Sequence, residues 1–287
     1  MSNPIIYPQT KSLKARFKHH DISLKIDEIE EIYASSNIKL NRTSQLSELL
    51  RSARDLTEVW SNGRSNETNM NLLFKTLHIE RIASALEFLK FEKEKDKYLN
   101  DLLKGTLDFF ERKESHAKSI LWELEVWSKL KKSISNVHLE EPDVVVQFGE
   151  SRISIPCKKI FSEKGVSKVL SNAVSQIENS SEFGIVAMNI DDLLPESVVL
   201  NARTFNEQAD KLHAVNMGFL SNHQRHFLKY LSKSRIIAVI VSTSIVSDIH
   251  DESPRFNNAS EWAIWTIPDL RLDHQKQLNE FWKSFME

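Results

Sequence analysis

Apolar residues return every three to four positions through the first part of the chain. Leu46, Leu49, Leu50, Ala53, Leu56 and Trp60 make one such stripe, behind a cap at Thr43 or Ser44. A second runs through Leu72, Leu73, Leu77, Ile79, Ala83, Leu86 and Leu89, then gives way to charges of alternating sign over 92–97, the mark of a solvated face or a helix end. The period restarts at Tyr98, Leu99, Leu102, Leu103, Leu107 and Phe110. It continues in a helix carrying Ile120, Leu121, Leu124 and Trp127 that ends near Lys132. No proline interrupts the chain between Pro8 and Pro142, and only Gly63 and Gly105 loosen it, so this whole stretch is expected to be helical.

Beyond it the pattern shortens to β-branched runs at 144–148, 153–160, 184–190, 235–246 and 262–267, which predict strands. Helical periods fall between or after them at 166–177, 205–230 and 273–285, and loops are expected near 61–66 and 251–260. Strands alternating with helices predict an α/β class with a largely buried mixed sheet flanked by helices. The boundary is placed near residue 112, giving a helical N-terminal region, 1–111, and an α/β domain, 112–287.

The 287 residues hold 38 Lys and Arg against 40 Asp and Glu, so attraction to nucleic acid cannot come from net charge and must be local. A lone cysteine, Cys157, excludes an intramolecular disulfide framework and a cysteine-based zinc finger, and fits a reducing cytoplasm. With no apolar run of membrane-spanning length and a polar start, the expectation is a soluble, cytoplasmic protein without a membrane partner.

The candidate chemistry lies in one short sequence of elements. A helix carries Glu123 and Glu125. Glu141, Pro142 and Asp143 precede the apolar run Val144–Val145–Val146. The next strand ends on Cys157, Lys158 and Lys159, and a helix with Gln176 follows. In that strand the two-residue period puts Ile153, Ile155 and Cys157 on one face and Ser154, Pro156 and Lys158 on the other. On the helix, Glu123 shares a stripe with Val126 and Leu130. Glu125, which shares one with Ser128 and Lys132, is turned about 160° away at about 100° per residue, so the two acids cannot easily point into one site.

Acid on a helix, acid at a strand start, lysine at the next strand's end, helix: this order resembles the PD-(D/E)xK nuclease superfamily, the restriction-endonuclease-like fold, over residues 112–192. That core is a helix, a three-stranded meander, a helix and a further strand. The resemblance implies hydrolysis of phosphodiester bonds, with Glu123 and Asp143 holding Mg²⁺ or Mn²⁺, the Cys157 carbonyl adding an oxygen, and Lys158 assisting the attacking water. Magnesium suits such a holder because it takes few protein ligands and keeps its own waters. Pro156 stands where the superfamily has its second acid, so a carboxylate must come from elsewhere, with Glu141 the next candidate and Glu125 and Gln176 in supporting places.

Local basic clusters supply what a phosphate-tracking groove needs. Over 151–176, Arg152, Lys158, Lys159, Lys164 and Lys168 face only Glu163. Over 203–235, six Lys and Arg, Arg225 and Lys229 among them, face Glu207 and Asp210. Lys159, Lys164, Lys168, Arg225 and Lys229 are the expected nucleic-acid contacts. His223 and His226 lack a third ligand for zinc, and Trp262 and Trp265 fit a strand in the core. The expected function is therefore a metal-dependent nuclease acting on DNA, in a restriction, repair or phage-defence setting, with the N-terminal helices free to dimerise or recruit an accessory protein. The alternative is the same fold with decayed catalysis, serving as a binding or assembly module.

Overall fold

A computed structural model describes residues 5–11, 19–63, 69–148, 151–181, 183–233 and 235–286. Five helices come early: α1 (His19–Ser35), α2 (Gln45–Ser61), α3 (Met70–Thr76), α4 (His78–Leu86) and α5 (Lys95–Leu102). Ser44 caps α2, its hydroxyl accepting the Ser47 N–H at 3.2 Å, while the apolar stripe Leu46, Leu49, Leu50, Ala53 and Leu56 is buried. Next comes α6 (His116–Lys131), then the meander β2 (Val137–Glu140), β3 (Asp143–Phe148) and β4 (Ser151–Ile155). After it follow β5 (Cys157–Lys159), α7 (Val166–Ser180), β6 (Ile185–Asn189), β7 (Leu200–Ala202), α8 (Phe205–Leu231), β8 (Ala238–Ile249), β9 (Phe256–Thr266) and α9 (Leu272–Met286).

Two sheets result. The small one is the antiparallel meander β2-β3-β4. In the large one, β5, β6 and β8 run parallel, β9 lies antiparallel on β8, and a short N-terminal strand, β1 (Ile5–Lys11), closes the far edge on β9, with β7 also pairing β8. The chain passes from one sheet to the other at Pro156. Ile155 is the last residue paired to β3, and the Pro156 carbonyl already accepts the N–H of Ala187 on β6. A residue without an N–H is tolerated where a strand changes partners. Next to this junction Ser154 bridges Gly184, where a side chain would collide with the Ser154 carbonyl and with Ile177.

The core organises around α6, which buries Leu121, Trp122, Leu124, Val126, Trp127 and Leu130. One continuous apolar cluster runs from Ile22 in α1 through α6 and the meander to Phe285 in α9, so residue 112 does not divide two cores. A second cluster fills the other face of the large sheet beneath α7 and α8. The helical expectation for 1–111 also fails at its start, because 5–11 is a strand of the large sheet, with Pro8 on the edge strand where proline is tolerated. The loop expected over 251–260 is instead a turn followed by β9 from Phe256. There Asn257, Asn258 and Ser260 disguise a strand whose pairing with β8 runs from Phe256 to Trp265. Of the loop expected at 61–66, residues 64–66 lie outside the described residues.

Candidate active site

Because α6 is packed on several sides, its two glutamates must each find a polar place, and they find different ones. Glu123 faces Tyr98 of α5, whose hydroxyl donates to its carboxylate, and lies within the field of Asp143 and Lys158. Glu125 points to the opposite side and takes two hydrogen bonds from Arg81 of α4.

Asp143 opens β3 in a left-handed backbone conformation, φ 108°, which a non-glycine residue adopts at a cost of about 1–3 kcal/mol. Its Oδ2 accepts the Lys158 ammonium at 2.7 Å and the Cys157 N–H at 2.7 Å. The reason is topological. β5 has β6 on one edge only, and in the parallel ladder the Pro156 carbonyl already points to β6, so the N–H and C=O of Cys157 point to the free edge. The Asp143 carboxylate stands in for the missing strand, and the Cys157 carbonyl opens toward the same side. The Asp143 and Lys158 side chains remain about one-fifth exposed, so the pair can be reached from solvent.

Electrostatics set this corner apart. Burial, then the neighbouring Asp143, pushes the Glu123 carboxyl up to about 8 against the pull of the Tyr98 hydroxyl. Burial also raises Asp143, although Lys158 and the Cys157 N–H work against it. Two inward carboxylates face the Lys158 ammonium, with Lys97 adding its field to Glu123 and Glu141 adding its own to Asp143. Added positive charge would therefore lower the energy of the corner, and the donors match Mg²⁺: two carboxylates and a carbonyl, leaving the remaining positions to water. Among the described residues no three His, Cys, Asp or Glu side chains converge as a ready-made metal cage. A cation here would rest on Glu123, Asp143 and the Cys157 carbonyl.

The other expected site residues are placed as follows. Glu141 is exposed and enters this corner only through its field on Asp143. Gln176 is half-buried on α7, its carbonyl oxygen enclosed without a partner. The Cys157 thiol is buried and raised well above its ordinary value by burial and then by Asp143 and Glu123, so it is no nucleophile. Two expectations are corrected. Glu125 does not support the site directly, since it is committed to Arg81 across the helix. Lys159 is not a nucleic-acid contact: its side chain is 1% exposed and its ammonium lies 2.7 Å from Asp192. Lys164, Lys168, Arg225 and Lys229 are exposed, on or beside α7 and α8, the helices covering one face of the large sheet. Register places Lys158 opposite Met188, whose side chain belongs to the core beneath those helices.

The residue missed altogether is Tyr98, whose place in the stripe with Leu99 and Leu102 gave no sign that its hydroxyl serves Glu123. A cleft of about 210 Å³ is on the other side of α6, between Arg81, Glu125, Lys129, Asn258 and Trp262, and does not include Asp143 or Lys158. We assign the candidate chemistry to the exposed corner, because convergent charge and hydrogen bonding are found there. No helix among the described residues is long and apolar enough to cross a membrane. Compared with known protein families, with curated proteins and with solved structures, the chain shows no match.

Proposed function

We propose that the chain is a metal-dependent nuclease that hydrolyses phosphodiester bonds in DNA, working in a restriction, repair or phage-defence setting in the cytoplasm. The observation that carries this reading is the meeting of Glu123, Asp143 and Lys158, from α6, β3 and β5, at the seam of two sheets. Their setting supports it: a helix, three antiparallel strands, the short strand β5 that carries Lys158, a helix and a strand follow one another over α6 to β6, the order of the PD-(D/E)xK core with one strand added.

Glu123, Asp143 and the Cys157 carbonyl would hold Mg²⁺ or Mn²⁺. When bound, the ion supplies charge neutralisation for the phosphate and a more acidic water. Lys158 keeps an ammonium beside Asp143, where it can orient the attacking water and meet the charge that builds on the phosphorus oxygens. Tyr98 fixes the Glu123 carboxylate by hydrogen bonding. The exposed Lys164, Lys168, Arg225 and Lys229 would position the phosphate backbone without reading sequence. The test is incubation with plasmid, linear and single-stranded DNA and with RNA in Mn²⁺. Wild type should cleave and Lys158→Ala should not, and equal products from both would remove the mechanism.

One observation favours a second reading, a nucleic-acid-binding or assembly module with decayed catalysis: buried Pro156 occupies the place of the superfamily's second acid. Calorimetric titration of Mn²⁺ into wild type and Asp143→Ala separates the two. Heat lost in the variant supports the nuclease, and no heat in either supports the module.

A further inference from the structure

Two residues beyond Glu123 stands Glu125, and one beyond Lys158 stands Lys159. Both belong to a buried set of six charges, Arg81, Lys118 and Lys159 against Glu125, Asp191 and Asp192, no side chain of which is more than 12% exposed. Lys159 lies 2.7 Å from Asp192 and 3.7 Å from Asp191, Lys118 lies 3.1 Å from Asp192, and Arg81 joins Asp191 at 2.9 Å as well as Glu125. Uncharged groups close the set. The Asn189 side-chain carbonyl accepts from Lys159, the Ser244 N–H donates to Asp191 at 2.6 Å, and the Glu111 carbonyl accepts from Lys118.

The set ties together α4 through Arg81, α6 through Lys118 and Glu125, β5 through Lys159, the turn after β6 through Asp191 and Asp192, and β8 through Ser244. Burying six charges is a poor way to gain stability, since apolar residues of similar volume often do as well or better. What it supplies is direction. β5 is three residues long with one strand neighbour, so pleat and ladder alone hold it weakly against α6.

We infer that Lys159 and Glu125 are positioning residues. Lys159, docked on Asp192, holds β5 so that the adjacent Lys158 reaches Asp143. Glu125, docked on Arg81, fixes the rotation of α6 so that Glu123 turns toward the same corner. The catalytic part of this inference rests on the nuclease reading, and the positional part does not.

The experiment uses the full chain as wild type, Lys159→Met, Lys159→Arg, Glu125→Gln, and Arg255→Met as a control in an ion pair away from the set. Plasmid cleavage in Mn²⁺, Mn²⁺ affinity by calorimetry and hydrogen exchange of segment 155–160 are followed well below each thermal midpoint. For Lys159→Met a displacement of the lysine should lower kcat roughly 10²-fold with KM unchanged. Exchange over 155–160 should speed up, Lys159→Arg should recover part of both, and Arg255→Met should behave as wild type. Glu125→Gln should lower kcat and weaken Mn²⁺ binding, and it carries the test should Lys159→Met not fold. Wild-type kcat and exchange in the folded variants would overturn the inference, as would a loss of kcat that disappears on cooling. If wild type neither cleaves nor binds Mn²⁺, the nuclease reading alone fails. The exchange data then decide the positional claim, faster exchange upholding it and unchanged exchange overturning it.

Discussion

The two sides of α6 match buried acids with cations to different degrees. Around Glu125 three cations meet three anions; Arg81, Lys159 and the Ser244 N–H outweigh burial at Asp191 and bring its carboxyl below its ordinary value, while burial still holds Glu125 above its own. Around Glu123 two carboxylates face the Lys158 ammonium and the field of Lys97, and burial still leaves both above their ordinary values. The first region is matched charge for charge within the chain. The second is not, and it is also the one with exposed side chains. Charge balance thus separates a strut from a place suited to an external cation, although the acids lie two residues apart on one helix.

The largest effect is expected where the balanced side is broken. Asp192→Ala removes the acid that Lys118 and Lys159 share, leaving Lys159 with Asp191 at 3.7 Å and Lys118 with backbone carbonyls, and removing one partner of a buried pair costs about 3–5 kcal/mol. Denaturant unfolding should show that loss. A change near zero would mean that water enters the set and that the contrast drawn above is wrong.

On the unbalanced side the cost should fall on activity instead. Lys158→Ala, at a half-buried position, should lower cleavage by about 10²–10³-fold, the range for losing a group that meets transition-state charge, while the thermal midpoint barely moves. A fall in stability comparable to that of Asp192→Ala would place Lys158 among the struts.

Glu123→Gln tests the imbalance through pH. The folded carboxyl titrates near 8 against an ordinary value of 4.5, so between those values the folded state keeps a proton that the unfolded state has released. Stability therefore falls as pH rises through that window and is level above it. Glutamine removes the fall. In metal-free protein the variant should gain on wild type progressively toward pH 8, by on the order of a few kcal/mol, with no gain below about pH 4. Mn²⁺ should reverse the order by stabilising wild type alone. Parallel pH profiles would refute the raised Glu123.

How much of this was legible in the chain follows from how local each signal is. Asp143 and Lys158 announce themselves, one as an acid between a proline and an apolar run, the other as a charge closing a strand. Helical phase set Glu123 and Glu125 apart, and the resemblance of Glu123, Val126 and Leu130 to the superfamily's helix pattern decided between them. Lys159 was misjudged although the two-residue period set it with Ile155 and Cys157 on the buried face, because its counter-charge, Asp192, lies beyond a whole helix and strand. The strands at 5–11 and 256–266 are set by pairing with each other and with β8, which no local period reports.

The smallest effect sharpens the difference between buried and exposed lysine. Lys168 and Arg225 are exposed on α7 and α8, whereas Lys159 is sealed on Asp192. If α7 and α8 carry the phosphate backbone, Lys168→Gln and Arg225→Gln should each weaken DNA retention alike for all sequences and reduce the slope of log affinity against log salt by about one. Lys159→Met should leave that slope untouched, because a lysine that releases no counterion from DNA contributes nothing to it. One filter-binding series over a range of salt reads all three. Equal slopes throughout would take α7 and α8 out of the interface, and a change confined to Lys159→Met would mean that its ammonium leaves Asp192 when DNA arrives.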